Sequence, residues 1–254
     1  MKITKHITFF YSEKTKHRII YLNKILNEVN TYAYTTDIYI HTNYLFPSDL
    51  LVPNTNGYTT VIVHNLDKKH PFYLTWKCRE LLHKQKDDYD IFIYTEDDIL
   101  IPKAALTYWL ENKDELIKYN FNLGFIRIEI DENKEEFMTD FNNKNKKPLD
   151  IFMNAHNKTY VLNHRNPYCA MWIYDKNEFA KFIQSDYYNI SNIKGYNIRE
   201  MSAVGLHGLH TDYYKGTVIP LVENQLDNGC RIYHLPNNYI KHNLLSFKNA
   251  VVKR

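Results

Sequence analysis

A regular alternation governs the first half of the chain: short apolar runs suited to strands trade places with longer stretches of helical spacing. HITFFYS, DIYIHTN, YTTVIVHNL and DIFIYT read as strands. KTKHRIIYLNKILNEVNTY carries Ile19, Ile20, Leu22, Ile25, Leu26 and Val29 at near-helical spacing. HPFYLTWKCRELLHKQ does the same through Leu74, Cys78, Leu81 and Leu82. PKAALTYWLENKDELIKY reads as a further helix, with Pro102 near its first turn, where proline is tolerated. FNLGFIRIEI then reads as a fifth strand. This order predicts the α/β class, with a Rossmann-like, mostly parallel central sheet flanked by helices. The runs IFIY and VIV fit strands covered on both faces. Ligands of such sheets bind outside the carboxyl ends of the strands. That rule sets Ser12, His41, Asn43, His64 and Glu96-Asp97-Asp98 along one rim.

The second half is less regular. Residues 131–150, DENKEEFMTDFNNKNKKPLD, are polar and read as a loop or excursion. KTYVLNH and CAMWIYD read as strands, the latter running into a helix, KNEFAKFIQ. NIREMSAVGL reads as helical, and GTVIPLVE and CRIYHLP as late strands. No linker rich in Pro, Gly or Ser interrupts the chain, so its 254 residues are expected to form one composite domain. Its halves would be 1–130, the ligand-binding half, and 131–254.

Composition narrows the classes. A net charge of +3 implies no strong polyanion partner, and the basic run Lys144–Lys147 reads as a solvated loop. Cys78, Cys169 and Cys230 are odd in number and form no CxxC, which suggests neither a disulfide framework nor a zinc knuckle. The opening MKITKHITFFYSEK has too short an apolar stretch for a signal peptide. No apolar run reaches the roughly 18 residues of a membrane span. The expectation is a cytoplasmic protein with no nucleic-acid partner and no membrane span.

The strand DIFIYT drives directly into three carboxylates, Glu96, Asp97 and Asp98. Adjacent like charges at a strand end need solvent, a partner or a cation. A hard divalent cation, Mn2+ or Mg2+, uses several carboxylate oxygens at once and also binds substrate phosphates. If the backbone stays extended, Glu96 and Asp98 leave it on the same side. A solvated acidic turn after a strand is the plain alternative.

An apolar strand that ends in an acidic DxD-like cluster resembles the metal site of GT-A glycosyltransferases. The stretch HPFYLTWKCRELLHKQKDDYDIFIYTEDDILIP is also similar to a little-characterised group of GT-A-like proteins that pairs an LTWxxR helix with an EDD strand end. The likeness runs in order through the opening strand, IYIHTN, HPFYLTWKCR, YTEDDI, NLGFIRIE and RIYHLPNNY. It implies a GT-A-like fold whose C-terminal half binds the acceptor. The implied activity is transfer of a sugar from a nucleotide-sugar donor, a UDP-sugar first and a GDP-sugar second, to a hydroxyl acceptor.

By position, the resemblance makes Asp98 the direct metal ligand. Glu96 would act through water or hold the donor ribose, with Asp97 between them. His234 is implied as a late metal ligand, with His242 in reserve, and Lys241 and Arg231 as contacts to the diphosphate. Phe10, Tyr11 and Ser12 would face the nucleotide base, with Phe10 better read as core. His41-Thr42-Asn43 stands where many GT-A enzymes carry an acidic residue. Arg79, one helical turn from Trp76, could reach the donor phosphates, while Trp76 reads as core. For an inverting reaction Glu200 is the first candidate base, then Asp175, then Asp212; a retaining reaction needs none. Tyr168 and Trp172 could form an aromatic platform for a sugar acceptor.

Other classes fit less well. A sugar-nucleotide nucleotidyltransferase usually carries a Gly-rich loop after its first strand, and FFYSEKTKHR has no glycine. Neither a P-loop nor GxGxxG occurs, and no GxSxG elbow marks a serine hydrolase. A two-carboxylate glycosidase needs neither the early βα order nor the EDD strand end. A non-catalytic glycan- or protein-binding module on a degenerate transferase fold remains the non-enzymatic alternative.

Overall fold

A computed structural model describes residues 1–66, 70–142, 149–155, 157–163, 168–195, 197–203, 216–250 and 252–253. The chain forms two compact units, Met1–Ile99 with Ala170–Gly205, and Leu100–Cys169 with Leu206–Arg254. This division cuts across the expected halves, because the chain returns to its first unit at Ala170.

The first unit is built on strands β1 (Lys2–Phe9), β2 (Thr35–Thr42), β3 (Thr59–Val63), β4 (Ile91–Glu96) and β11 (Met171–Asp175). Their order across the sheet is β11-β4-β1-β2-β3. β4, β1, β2 and β3 are parallel, and β11 runs antiparallel to β4. The mostly parallel sheet therefore forms as expected from the first four strands. The fifth strand, however, is CAMWIYD rather than FNLGFIRIEI. Packing accounts for its place: Trp172 stacks on Tyr94 at 5.6 Å, and Phe179 of the following helix stacks on Phe92 at 4.1 Å. Trp172 is thereby buried in the core, which removes it from an acceptor platform.

Helix α1 (Ile19–Val29) buries Leu22, Ile25, Leu26 and Val29 as one apolar stripe and leaves Ile20 outside. The LTWxxR stretch divides into a 3-10 segment, Pro71–Trp76, and a short helix α2 (Arg79–Lys84). Helix α4 (Lys176–Ile183) follows β11 directly, and α5 (Ile198–Met201) is a single turn. From Ile3 to Phe9 every residue of β1 is buried, as is every residue of β4. This is what two-faced coverage of a parallel sheet requires.

The short strand β5 (Ile99–Leu100) carries the chain into the second unit. Here α3 (Lys103–Lys118) buries Leu106, Tyr108, Trp109 and Leu116. The strands are β6 (Asn122–Leu123), β7 (Ile126–Ile130), β8 (Glu136–Asn142), β9 (Leu149–Ala155), β10 (Lys158–Leu162), β12 (Thr217–Val222), β13 (Gln225–Leu226), β14 (Arg231–His234), β15 (Leu244–Ser246) and β16 (Val252–Lys253). One sheet runs β13-β12-β10-β9-β16, with β6 paired to β12; in the other, β15, β8, β7 and β14 are successive neighbours. The polar stretch 131–150 is thus not a plain loop, because β8 and the start of β9 lie in it. FNLGFIRIEI divides into β6 and β7, which join different sheets. Among the described residues, no helix is long and apolar enough to cross a membrane.

Candidate functional site

From β1 the first-unit sheet extends through β2 and β3 on one side, then through β4 on the other. The strand order reverses between β1 and β4, and ligands of open α/β sheets bind at such a point, beyond the carboxyl ends. Thr8 of β1 is in register with Glu96 of β4, so the two strands end together. The three acids follow on one side of the crevice, and Phe10, Tyr11 and Ser12 on the other.

Glu96, Asp97 and Asp98 are all nearly buried, at 6, 4 and 9% exposure. They do not form a solvated turn. Arginines meet them instead. Arg18, at the head of α1, places Nε 3.0 Å from Asp97 Oδ2 and donates through Nη2 to Asp98 Oδ2. Arg199 of α5 lies with Nε 3.5 Å from Glu96 Oε2. Burial, and then the charge of Asp98, raise the Asp97 carboxyl well above its usual range, with Arg18 pulling the other way. Among the described residues no three His, Cys, Asp or Glu side chains are arranged to hold a metal ion. The donor set nonetheless suits a hard cation in kind: Asp97 and Asp98 already share one cationic group, the Arg18 guanidinium.

Opposite the acids stands an aromatic shelf. Tyr11 stacks on Tyr44 at 5.8 Å and on Phe46 at 5.6 Å. The Asn43 side chain holds the Tyr11 backbone from both sides, accepting from its N–H at 2.7 Å and donating to its carbonyl at 3.0 Å. Asn43 thus has a structural task at the position where the resemblance would have an acid. The Ser12 carbonyl accepts from the N–H groups of Thr15 and Lys16, so it closes the turn into α1. Phe10 is 37% exposed, contrary to its reading as core; Phe9 is the residue packed inside.

Several expected site residues have other work. Arg79 is buried and donates to the carbonyls of Tyr187, Tyr188 and Ser202, with its guanidinium 4.2 Å over the Trp76 ring. Its donors are committed to backbone, which removes it from the phosphate role. Asp175 accepts from the Glu178 N–H at 2.8 Å in the capping box of α4. It pairs in register with Ile91, at the amino end of β4, while the acids lie beyond the carboxyl end. Five residue steps separate Ile91 from Glu96, about 16–17 Å. Asp175 is therefore a cap, not a base at this rim. Glu200, half-buried on α5, accepts from the backbone N–H of Asn197 at 3.4 Å. It directly follows Arg199, the partner of Glu96. Asp212 lies outside the described residues.

His234 and Lys241 belong to the second unit. His234 Nδ1 donates to Glu129 Oε1 at 2.6 Å. Glu129 is fully buried and its other oxygen accepts the N–H groups of Tyr239 and Ile240. No sequence reading pointed to Glu129, which occupies an alternating position in IRIEI where a buried acid has no local signal. Lys241 is exposed and lines a cavity of about 560 Å³ with Asp131, Glu132, Asn237 and Asn238. Arg231 is held by Glu136 at 2.5 Å and by the Asn228 carbonyl, and His242 is exposed. Tyr168, also in this unit, faces Arg127 at 5.4 Å.

No protein-family model matches the chain, and no curated protein matches it. Among solved structures it is similar to S. aureus TarS, at 11% identity and a TM-score of 0.44, over 92% of this chain and 36% of that one. The chain therefore spans about a third of the length of that protein.

Proposed function

We propose that the chain transfers a sugar from a nucleoside-diphosphate sugar to a hydroxyl acceptor on a glycan or another molecule. One observation carries this reading: three carboxylates end β4 beside the end of β1, where the strand order reverses. The aromatic shelf across the crevice supports it. Tyr11 and Tyr44 offer a ring face to the nucleobase, with Ser12 beside them. Asp98 and Glu96, with Asp97 between, would hold Mn2+ or Mg2+ once Arg18 and Arg199 release them. When bound, such an ion stabilises the departing diphosphate as a Lewis acid. Arg18 and Arg199 offer planar guanidinium donors suited to phosphate oxygens. Glu200 accepts the proton of the acceptor hydroxyl if the reaction inverts. The donor is a UDP-sugar first, with a GDP-sugar second.

The resemblance further implies His234 as a ligand of the cation and Lys241 as a diphosphate contact. His234→Ala should weaken Mn2+ binding, and Lys241→Ala nucleotide binding. Normal affinities in these variants would remove both residues from the reading. We also place the activity in the cytoplasm; recovery of the native chain from a secreted or lumenal fraction would count against that.

A thermal-shift screen of nucleoside diphosphates and sugar nucleotides, each with and without Mn2+, tests the proposal. A ligand at a hundredfold excess over its dissociation constant stabilises the folded state by about 2.7 kcal/mol. A shift with one nucleotide only when Mn2+ is present supports the transferase. No shift in a cooperatively melting protein favours the second reading, a glycan- or protein-binding module. That reading has its own observation: Asp97 and Asp98 are paired by the chain's own Arg18.

A further inference from the structure

Three histidines form a chain across the first-unit sheet. His6 lies on β1, His41 near the end of β2, and His64 one residue past β3. His6 Nδ1 meets His41 Nε2 at 2.8 Å, and His41 Nδ1 meets His64 Nε2 at 2.8 Å. The rings stack at 5.1 and 5.0 Å. The register explains the climb: Thr8, two residues beyond His6, is the partner of His41, and the His64 N–H bonds the Thr42 carbonyl. The chain therefore rises from mid-sheet to the carboxyl-end rim. His6 and His41 are fully buried, and His64 is half-buried.

The inner end fixes a direction. His6 Nε2 lies 2.9 Å from Gln85 Oε1, an acceptor that also takes the Thr4 hydroxyl at 3.1 Å. His6 Nε2 must then carry its proton, and its Nδ1 must accept. His41 Nε2 donates to that nitrogen, and His64 Nε2 donates to His41 Nδ1. Each neutral imidazole has one donor and one acceptor, so one choice at Gln85 sets all three rings. The acceptor left at the outer end is Nδ1 of His64.

We propose that this chain locks His64 so that the rim of β3 presents a hydrogen-bond acceptor at neutral pH and a cation after one protonation, while further protonation opens the sheet. The first proton binds His64 Nδ1 and breaks nothing, since Nε2–H still donates to His41. A second proton on His41 or His6 would set two N–H groups against each other across a 2.8 Å contact. Either the bond between β1 and β2 or the one between β2 and β3 is then lost. Beside its buried end Asp37, in register with Thr4, is taken up by Lys2 and Tyr89, and the groups that meet the chain itself there carry no charge. They are Thr4 on β1, Tyr39 on β2 stacked on His6 at 4.9 Å, and Gln85 after α2. Burial lowers the pKa of His64, with Lys77 adding to this and Glu80 opposing it. Burial pushes His6 down to about 3 and His41 to about 2, with neighbouring His6 and His64 adding to the latter. Both native values lie below the ordinary value of 6.5. The unfolded chain therefore takes up protons first, and stability falls as pH drops below that value.

The test uses the whole chain labelled with 15N-histidine. Ring spectra at about pH 8, well above the ordinary histidine value, should show Nε2–H on all three residues. On acidification, of these three His64 alone should gain a proton while native signals persist. His6 and His41 should be protonated only in the step that abolishes those signals. His6→Gln and His41→Gln keep a donor and an acceptor but cannot be protonated. Each should lower the proton uptake of acid unfolding by one and move its midpoint to lower pH. An Nδ1–H tautomer at any of the three, as a turned Gln85 would impose, overturns the proposal. So does a protonated His6 or His41 in the folded chain, or unchanged proton uptake in the variants. If the variants do not fold, the wild-type spectra decide alone.

Discussion

Replacing Lys5 by methionine should stabilise the protein by about 3–5 kcal/mol at neutral pH and below. Lys5 sits mid-strand in β1 between Ile38 and Ile93, with no solvent exposure. Among the described residues its Nζ meets no hydrogen-bond partner. Burial pulls its pKa from 10.5 down to about 7, with only the charge of Glu28 opposing. Each unit of displacement is worth about 1.4 kcal/mol, which gives the range stated. Methionine is unbranched and flexible enough to fill the same channel without a charge. The sign follows from proton counts. Between about 7 and 10.5 the unfolded chain holds a proton that the native chain has released, so wild-type stability rises with pH across that window. Below it the full penalty applies, and above it none. Urea unfolding of both proteins across the window should show their difference largest at the acid end and closing towards the alkaline end. A difference independent of pH, or a destabilised Lys5→Met at the acid end, would refute the reasoning.

Asp98→Asn should abolish the Mn2+-dependent thermal shift with a nucleoside diphosphate; an unchanged shift would remove the acid cluster from the proposed mechanism. Arg79→Gln should cost about 2–4 kcal/mol in chemical denaturation, because three carbonyls lose a charged donor. Nucleotide affinity of the folded fraction should stay unchanged, and a selective loss of that affinity would restore Arg79 to the phosphate site. Asp175→Ala should cost about 1 kcal/mol as a lost helix cap and leave transfer intact. Glu200→Gln should lower transfer while leaving donor binding intact; unchanged transfer would exclude it as the base.

The fold was legible where periodicity and burial agree. IFIY has no polar alternation because both faces of β4 are covered, and α1 shows its stripe openly in Leu22, Ile25, Leu26 and Val29. The fifth strand was misplaced because FNLGFIRIEI and CAMWIYD are equally strand-like in isolation. Only the stacking of Trp172 and Phe179 on β4 side chains decides between them, and that contact is nonlocal. The acids were legible as a charge cluster, but not their burial, since the partners Arg18 and Arg199 are roughly 80 and 100 positions away. Arg79 misled for a related reason. A positive side chain near an apolar helix suggests a ligand, whereas here the guanidinium is buried and holds three backbone carbonyls.

Charge at the rim bears on how a diphosphate could bind there. Arg18 and Arg199 supply two positive charges against Glu96, Asp97 and Asp98. Burial drives Asp97 towards its neutral form, yet even with that carboxyl uncharged the two arginines only balance the remaining pair. The rim thus holds no surplus positive charge. A nucleoside diphosphate, at least doubly negative near neutral pH, would have to compete with carboxylates for guanidiniums already engaged. If the proposed divalent cation binds, the carboxylate oxygens would turn to it and Arg18 would be left to turn towards phosphate. On this accounting the bare nucleotide should give no thermal shift, and added salt should not produce one, because a balanced rim has no net repulsion for salt to screen. A strong shift with nucleotide alone would mean that the arginines leave the acids without help, and the cation would lose its role in binding.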